Sequence, residues 1–115
     1  MKTGRWKTLL ALLFLAACAA AQSGPKVTVS PTRIATPGHV IVQGSGFTPQ
    51  HNVTSHLRKP TGEEYPVLPL LTNDRGEFTH DIDTLVLIHG VHELWVVDDN
   101  SKVTSNHVQF EVTPN

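Results

Sequence analysis

The feature that most constrains the fold of this chain is a series of short segments in which apolar and polar residues alternate. No segment has a sustained helical period, and only residues 84–88 could form a turn of helix or an irregular crossing. Because alternation places every second side chain on one face of a strand, the pattern predicts an all-β, antiparallel sandwich of about seven strands. The seven segments, separated by turn-forming residues, are 26–30, 39–43, 53–58, 65–71, 78–83, 91–97 and 106–112.

Proline and glycine mark the ends of these segments. Pro66 and Pro69 interrupt the fourth segment, and because proline lacks an amide donor, this segment is expected at a sheet edge. Asn73-Asp74-Arg75-Gly76 is typical of a tight turn. Gly44 and Gly46 end the second segment, where we expect a positive φ or a close approach of two backbones.

The N-terminal segment predicts export. Residues 8–17 are an uninterrupted run of apolar and small residues, too short to span a bilayer, and basic residues precede them: Lys2, Arg5 and Lys7. Leu15-Ala16-Ala17-Cys18 then resembles the bacterial lipobox. The resemblance implies that the signal is removed before Cys18, and that a diacylglycerol thioether on Cys18 anchors the protein in a membrane.

The same region permits a second interpretation. Ala19-Ala20-Ala21 before Gln22 is an acceptable site for ordinary signal peptidase, which would release a soluble secreted protein without the cysteine. On the lipoprotein interpretation, the residue after the lipidated cysteine is Ala19, which is small and neutral. In this it resembles the lipoproteins that Gram-negative bacteria transfer to the outer membrane by default. The expected parts are a signal peptide over 1–17, a flexible tether over 18–25 and a folded domain over 26–115.

Charge and cysteine content exclude several classes of partner. Without the first 17 residues the chain has six basic and ten acidic residues, so its net charge is −4 with histidines neutral. No Lys/Arg cluster remains to bind nucleic acid or an anionic membrane, and membrane contact is expected only through the lipid on Cys18. Since Cys18 is the only cysteine, an internal disulfide cannot form.

Several of these segments together resemble bacterial Ig-like domains of the IPT/TIG sort. The similar stretches are Val27 to Pro31, Pro37-Gly38, Val42 to Pro49, the "D-x-G-x-F" hairpin within 71–78, and the "G-x-Y-x-V-x-V-x-D" strand within 89–98. The resemblance implies an Ig-like β-sandwich and a non-enzymatic binding or structural role. His92 occupies the place of the tyrosine that braces a corner in this family, and we expect its ring N–H to serve the same purpose.

The seven histidines are the main candidates for metal chemistry, and all follow residue 38. His89 and His92 form an H-x-x-H pair, but zinc needs three or four converging ligands. His80 and Asp81 point to opposite faces of a strand, with His80 expected to face inward and to be hydrogen-bonded. The oxygen-rich turns at 73–74 and 98–100 are explained by their own backbone hydrogen bonds. We therefore predict no metal and no cofactor, although a small His-dependent metal-binding protein or enzyme remains the alternative.

Catalytic signatures are weak. Gly44-Ser45-Gly46 lacks the G-x-S-x-G nucleophile elbow and the strand-to-helix turn that such an elbow requires. No pair of carboxylates is placed across a cleft by the pattern. We therefore predict no catalytic residues, no enzyme activity and no small-molecule substrate.

The alternation predicts a binding face instead. If the residues flanking Trp95 face the core, Trp95 faces outward, and an exposed tryptophan ringed by polar groups is typical of a binding hot spot. In an Ig-like topology the three strands concerned are neighbours, and we expect an envelope protein to bind here. Alternatively, Trp95 covers its own sheet or is shielded by residues 84–88. The predicted face consists of Trp95, His56, Arg58 and His107.

Overall fold

The computed structural model describes residues 24–115, so the predicted signal peptide, Cys18 and most of the tether lie outside the described residues. No helix within this range is long and apolar enough to cross a bilayer. The described chain forms eight strands and one 3₁₀ turn, namely β1 (Lys26–Ser30), β2 (Arg33–Ala35), β3 (His39–Ser45), β4 (Asn52–Arg58), β5 (Leu68–Leu71), β6 (Phe78–Asp83), η1 (Thr84–Val86), β7 (Gly90–Asp98) and β8 (Val108–Thr113).

The strands form two sheets that pack face to face. One sheet has the order β1-β3-β6, and the other has the order β2-β8-β7-β4-β5. Strands β1, β3 and β6 correspond to A, B and E of an immunoglobulin-like sandwich, and β4, β7 and β8 correspond to C, F and G. The predicted all-β, Ig-like sandwich is therefore confirmed.

The ends of β3, β4, β7 and β8 differ from the predicted segments by one or two residues, and three larger details differ from the sequence expectations. Strand β2 was not predicted, because three residues are too few to show alternation, and it pairs with β8 in parallel rather than antiparallel. Strand β5 begins at Leu68 rather than Tyr65. The turn at 73–76 is not part of a hairpin, because β5 and β6 belong to different sheets and the turn carries the chain between them.

The core lies between the sheets and consists of alternate residues from both, together with Phe47 from the loop after β3. Its buried members are Val27, Val40, Val42, Phe47, Val53, Phe78, Ile82, Leu94, Val96, Phe110 and Val112. Gly44 lies against the Phe78 ring so closely that a Cβ atom there would overlap it, and Gly46 has a φ of +77°. Both glycines thus have the roles expected of them, and the close packing of the Phe78 ring of β6 against the neighbouring strand β3 depends on Gly44.

Candidate functional site

The predicted face lies on the outer side of the five-stranded sheet. The residues before and after Trp95 are fully buried in the core, so Trp95 projects from the opposite side of β7. The strand register places His56 of β4 directly opposite Trp95. On the other side, Leu94 pairs with Val108, so His107 lies beside Trp95. The alternation therefore gave the correct side of the sheet for all these residues.

Trp95 is the centre of a stack of three aromatic rings. Its ring lies 5.2 Å from that of His56 and 4.7 Å from that of His107, with interplanar angles of 5° and 6°. The Arg58 guanidinium carbon is 4.8 Å from the centre of the Trp95 ring, within the range of a cation–π contact. Trp95 is only 8% exposed, so the expectation of an exposed tryptophan is wrong. Neighbours on its own sheet cover it, and it does not belong to the core cluster.

Two glutamates fix the side chains that cover Trp95. Glu93 accepts hydrogen bonds from Arg58 Nη1 at 2.8 Å and from His107 Nδ1 at 3.1 Å. Glu64 accepts one from His56 Nδ1 at 2.9 Å. The alternation along β7 could have identified Glu93, which shares the parity of Trp95. Glu64 lies in an irregular loop whose path no periodicity reveals.

We call these six residues the outer face. Hydrogen bonds within the chain hold its polar groups in place. The Arg58 side chain is 42% exposed and the His107 side chain 46% exposed, so both can be touched from outside. Long surface side chains lose rotamer entropy when they are bound. Because stacking and hydrogen bonds to Glu93 already restrain Arg58 and His107, a partner that contacts them forfeits less of that entropy. The outer face consists of His56, Arg58, Glu64, Glu93, Trp95 and His107.

His92 is a buried brace between the start of β7 and the segment before β5. Its Nδ1 lies 3.1 Å from the Gly90 carbonyl oxygen, which can only accept, so Nδ1 carries the proton. Nε2 then accepts from the Tyr65 hydroxyl at 3.2 Å, and that hydroxyl accepts from the Ile88 amide at 3.1 Å. Burial lowers the pKa of His92, opposed by the bond to Gly90. The structural role expected of His92 is confirmed.

The other sequence candidates for metal ligation do not converge. Both ring nitrogens of His92 are occupied, whereas His89 is exposed, so the H-x-x-H pair does not share a site. Within residues 24–115, no three His, Cys, Asp or Glu side chains are grouped to hold a metal ion. His80 lies on the inward side of β6 and is half-buried, as expected. The hydrogen bond expected of its ring is not made within residues 24–115, so that part of the expectation is wrong. Burial lowers its pKa, partly offset by the charge of Asp81.

Asp98 explains the oxygen-rich turn at the end of β7. Its carboxylate accepts hydrogen bonds from the Thr48 amide at 2.7 Å, the Thr48 hydroxyl at 2.9 Å, the Asn100 amide at 2.9 Å and the Ser101 amide at 3.2 Å. Burial works to raise the pKa of Asp98, but these four bonds outweigh it and lower the pKa to about 2. The carboxylate therefore joins two loops of the sandwich.

Comparison with known proteins identifies a fold and no family. No protein-family profile and no curated protein matches the sequence. Among solved structures, macromomycin is similar over 78% of this chain and 100% of its own, with a TM-score of 0.53 and 13% identity. At that identity the similarity concerns the fold alone, and it agrees with the sandwich described above.

Two further solved structures are more distant. A CARDB domain from Pyrococcus furiosus, in complex with di-metal ions, has a TM-score of 0.44 at 10% identity, over 80% of this chain and 93% of its own. The multi-modular chitinase ChiW from Paenibacillus has a TM-score of 0.45 at 20% identity, over 76% of this chain and 8% of the enzyme. Neither similarity assigns a metal or an activity to this chain.

Proposed function

We propose that this chain is a lipid-anchored module of a bacterial cell envelope that binds a protein partner and catalyses no reaction. Cys18 is the proposed lipid attachment site, and the outer face is the proposed binding surface. The observation that carries the proposal is the stack of His56, Trp95 and His107, which lies beside the ion pair of Arg58 and Glu93. Together they form an ordered, charged surface outside the core.

The chemistry of the outer face favours a protein as the partner. Positive Arg58 pairs with the carboxylate of Glu93, and the carboxylate of Glu64 lies against His56 on the same face. The surface therefore carries charges of both signs rather than the basic stripe that nucleic acid requires. Arginine and aromatic residues are also enriched at protein interfaces. Because Trp95 is covered, the direct contacts come from Arg58 and the imidazoles, with Trp95 as the platform beneath them.

The finer parts of the proposal rest on the sequence. Residues 15–18 support lipidation, and Ala19 supports delivery to the outer membrane if the host is Gram-negative. The motifs over residues 27–98 support a domain of the IPT/TIG sort, within the Ig-like fold described above. Release after Ala21 as a soluble secreted protein is the alternative, and the N-terminus of the mature protein distinguishes the two.

A pair of double variants in the full-length chain tests the binding face. One carries Arg58→Ala and His107→Ala, and the control carries Gln43→Ala and Thr79→Ala, which are cross-strand partners exposed on the other sheet. Each is expressed in the native host, solubilised in mild detergent and sized on a native gel. We expect the unaltered chain and the control to migrate in a complex and the first variant to migrate alone. A complex that survives in the first variant contradicts the proposal.

A further inference from the structure

An apolar cleft of about 280 Å³ lies between the two sheets, away from the outer face. It opens at the side of the sandwich where β5 and β6, the edge strands of the two sheets, face each other across η1. The walls are largely apolar, and the side chains that form them include Leu57, Ile82, Leu87 and Leu94. Sequence reasoning had no signal for this cleft, because it arises where two sheet edges diverge.

Three polar side chains also line the cleft, namely Ser55, Tyr65 and His80. The Tyr65 hydroxyl is already bonded to His92 and Ile88, whereas Ser55 and His80 are not used by the rest of the described chain. Ser55 is 93% buried, since its exposure is 7%. No hydrogen bond among residues 24–115 involves the Ser55 hydroxyl or the His80 ring. Within this range, every side-chain nitrogen or oxygen that is fully enclosed by protein has a hydrogen-bond partner. Because the Ser55 hydroxyl has none, it is not fully enclosed, and the cleft is the space from which it can be reached. The Ser55 hydroxyl and the His80 ring therefore keep hydrogen-bonding capacity that faces the cleft and that a ligand there can use.

The edges of the cleft argue against an added β-strand as its occupant. On one side, Pro66 and Pro69 remove amide donors near and within β5. On the other side, the exposed carboxylates of Asp81 and Asp83 lie along β6, and charges on an edge strand discourage pairing with another chain. An extended peptide therefore has a poor template on either side, whereas a compact molecule needs neither edge.

The lining also limits the charge and size of the occupant. It contains no Lys or Arg to pair with an anion and no Asp or Glu to pair with a cation. Its volume is just below the roughly 300–1,000 Å³ of typical small-molecule pockets. We propose that this cleft binds a compact, uncharged molecule with an apolar body and one hydroxyl or carbonyl group, which hydrogen-bonds to Ser55 and His80.

A matched pair of probes tests the cleft. The chain from residue 18 onward, with Cys18→Ser to keep it free of lipid, is titrated with 2-naphthol and with naphthalene while amide NMR signals are followed. Saturable shifts are expected at Ser55, Leu57 and Ile82. Since one hydrogen bond contributes about 1 kcal/mol, 2-naphthol should bind about fivefold more tightly than naphthalene.

Single variants connect that preference to the two polar groups. We expect Ser55→Ala and His80→Phe each to reduce the ratio of the 2-naphthol affinity to the naphthalene affinity towards one. Thr79→Ala, on the outward side of β6, should leave that ratio unchanged. If one variant fails to fold, the other still decides.

Four results would overturn the proposal: no saturable shift, equal binding of both probes by the unaltered chain, shifts centred on Trp95, or shifts along β6 that grow with protein concentration. The last would show strand pairing between copies instead.

Discussion

At the scale of single residues, two buried polar groups join parts of the chain that the strands alone leave unconnected. His92 connects β7 to Tyr65 and, through the Tyr65 hydroxyl, to Ile88. Asp98 connects the end of β7 to Thr48. Both are almost fully buried and all their polar atoms are used, so removing either leaves donors or acceptors without partners.

Replacing His92 with phenylalanine should keep its stacking with Phe110 but remove both hydrogen bonds. We expect a loss of about 1–3 kcal/mol in the free energy of unfolding, measured by urea denaturation at pH 7.5. Tyr65→Phe should cost less. The double variant should cost less than the sum of the two singles because they share one bond, and strict additivity would contradict the shared network.

The pH dependence of His92 has a definite sign. Burial lowers its pKa from 6.5, so as pH falls the unfolded chain takes up a proton before the folded chain does. The stability contributed by neutral His92 is therefore complete above about pH 6.5 and declines below it. Between pH 7.5 and pH 5, the unaltered domain should lose more stability than His92→Phe does. The pKa of His80 is also lowered, but because His80 is present in both proteins, its contribution cancels in this comparison.

The stability that Asp98 contributes should be lost at a lower pH than that contributed by His92. The Asp98 pKa of about 2 is below the ordinary value of 3.8, so its contribution is present above pH 4 and is lost as pH falls through 2. We expect Asp98→Asn to cost about 2–3 kcal/mol at pH 7, and the gap between the two proteins to narrow towards pH 2. The midpoints of urea denaturation between pH 7 and pH 2 measure this difference in stability. Asp74→Asn, at an exposed turn, is the control, and an equal loss there would contradict the role of Asp98.

At the scale of elements, the alternation along β7 puts Trp95 on the outer side, and cross-strand neighbours then bury it. The ring stack spans the sheet from β4 to the start of β8, so it also connects three strands. Such cross-strand contacts between side chains stabilise a sheet beyond its backbone hydrogen bonds.

Trp95→Ala should therefore be more costly than expected of an exposed residue. Trp95 is covered only by neighbours on its own sheet and not by the opposite sheet. We therefore expect a loss of about 2–3 kcal/mol in the free energy of unfolding, below the roughly 3–5 kcal/mol typical of a core aromatic residue. His56→Ala or His107→Ala should each cost about 0.5–1.5 kcal/mol. Chemical denaturation measures all three, and a loss near zero for Trp95→Ala would show that the stack contributes nothing to stability.

Most of the fold was predictable because period-two alternation is a local signal. The bounds of β1 and β6 were obtained from the sequence, as were the side of the sheet that Trp95 occupies and the inward position of His80. The parallel pairing of β2, the sheet change at 73–76 and the cover over Trp95 were not. Each depends on how the sheets pack or on side-chain pairs such as His56–Glu64, which the pattern along one strand does not contain.

At the scale of the whole molecule, the proposed membrane anchor and the fold occupy separate parts of the chain. Strand pairing and the core lie within residues 26–113 of the described range, and the predicted lipid site lies before them. We expect Cys18→Ser to move the protein from the membrane fraction or leave it unprocessed. Intact-mass measurement of the unaltered protein should give a lipidated N-terminus at Cys18, and a mature protein that begins at Gln22 would contradict the anchor.

The most direct test of the central claim is photo-crosslinking in living cells. A photoreactive amino acid replaces Arg58 on the outer face or, as a control, Gln43 on the other sheet, in the full-length chain with Cys18 intact. Irradiation should give a discrete cross-linked product of higher mass from position 58 and none from position 43. A product from position 43 alone, or none from position 58, would contradict the claim that the outer face binds the partner.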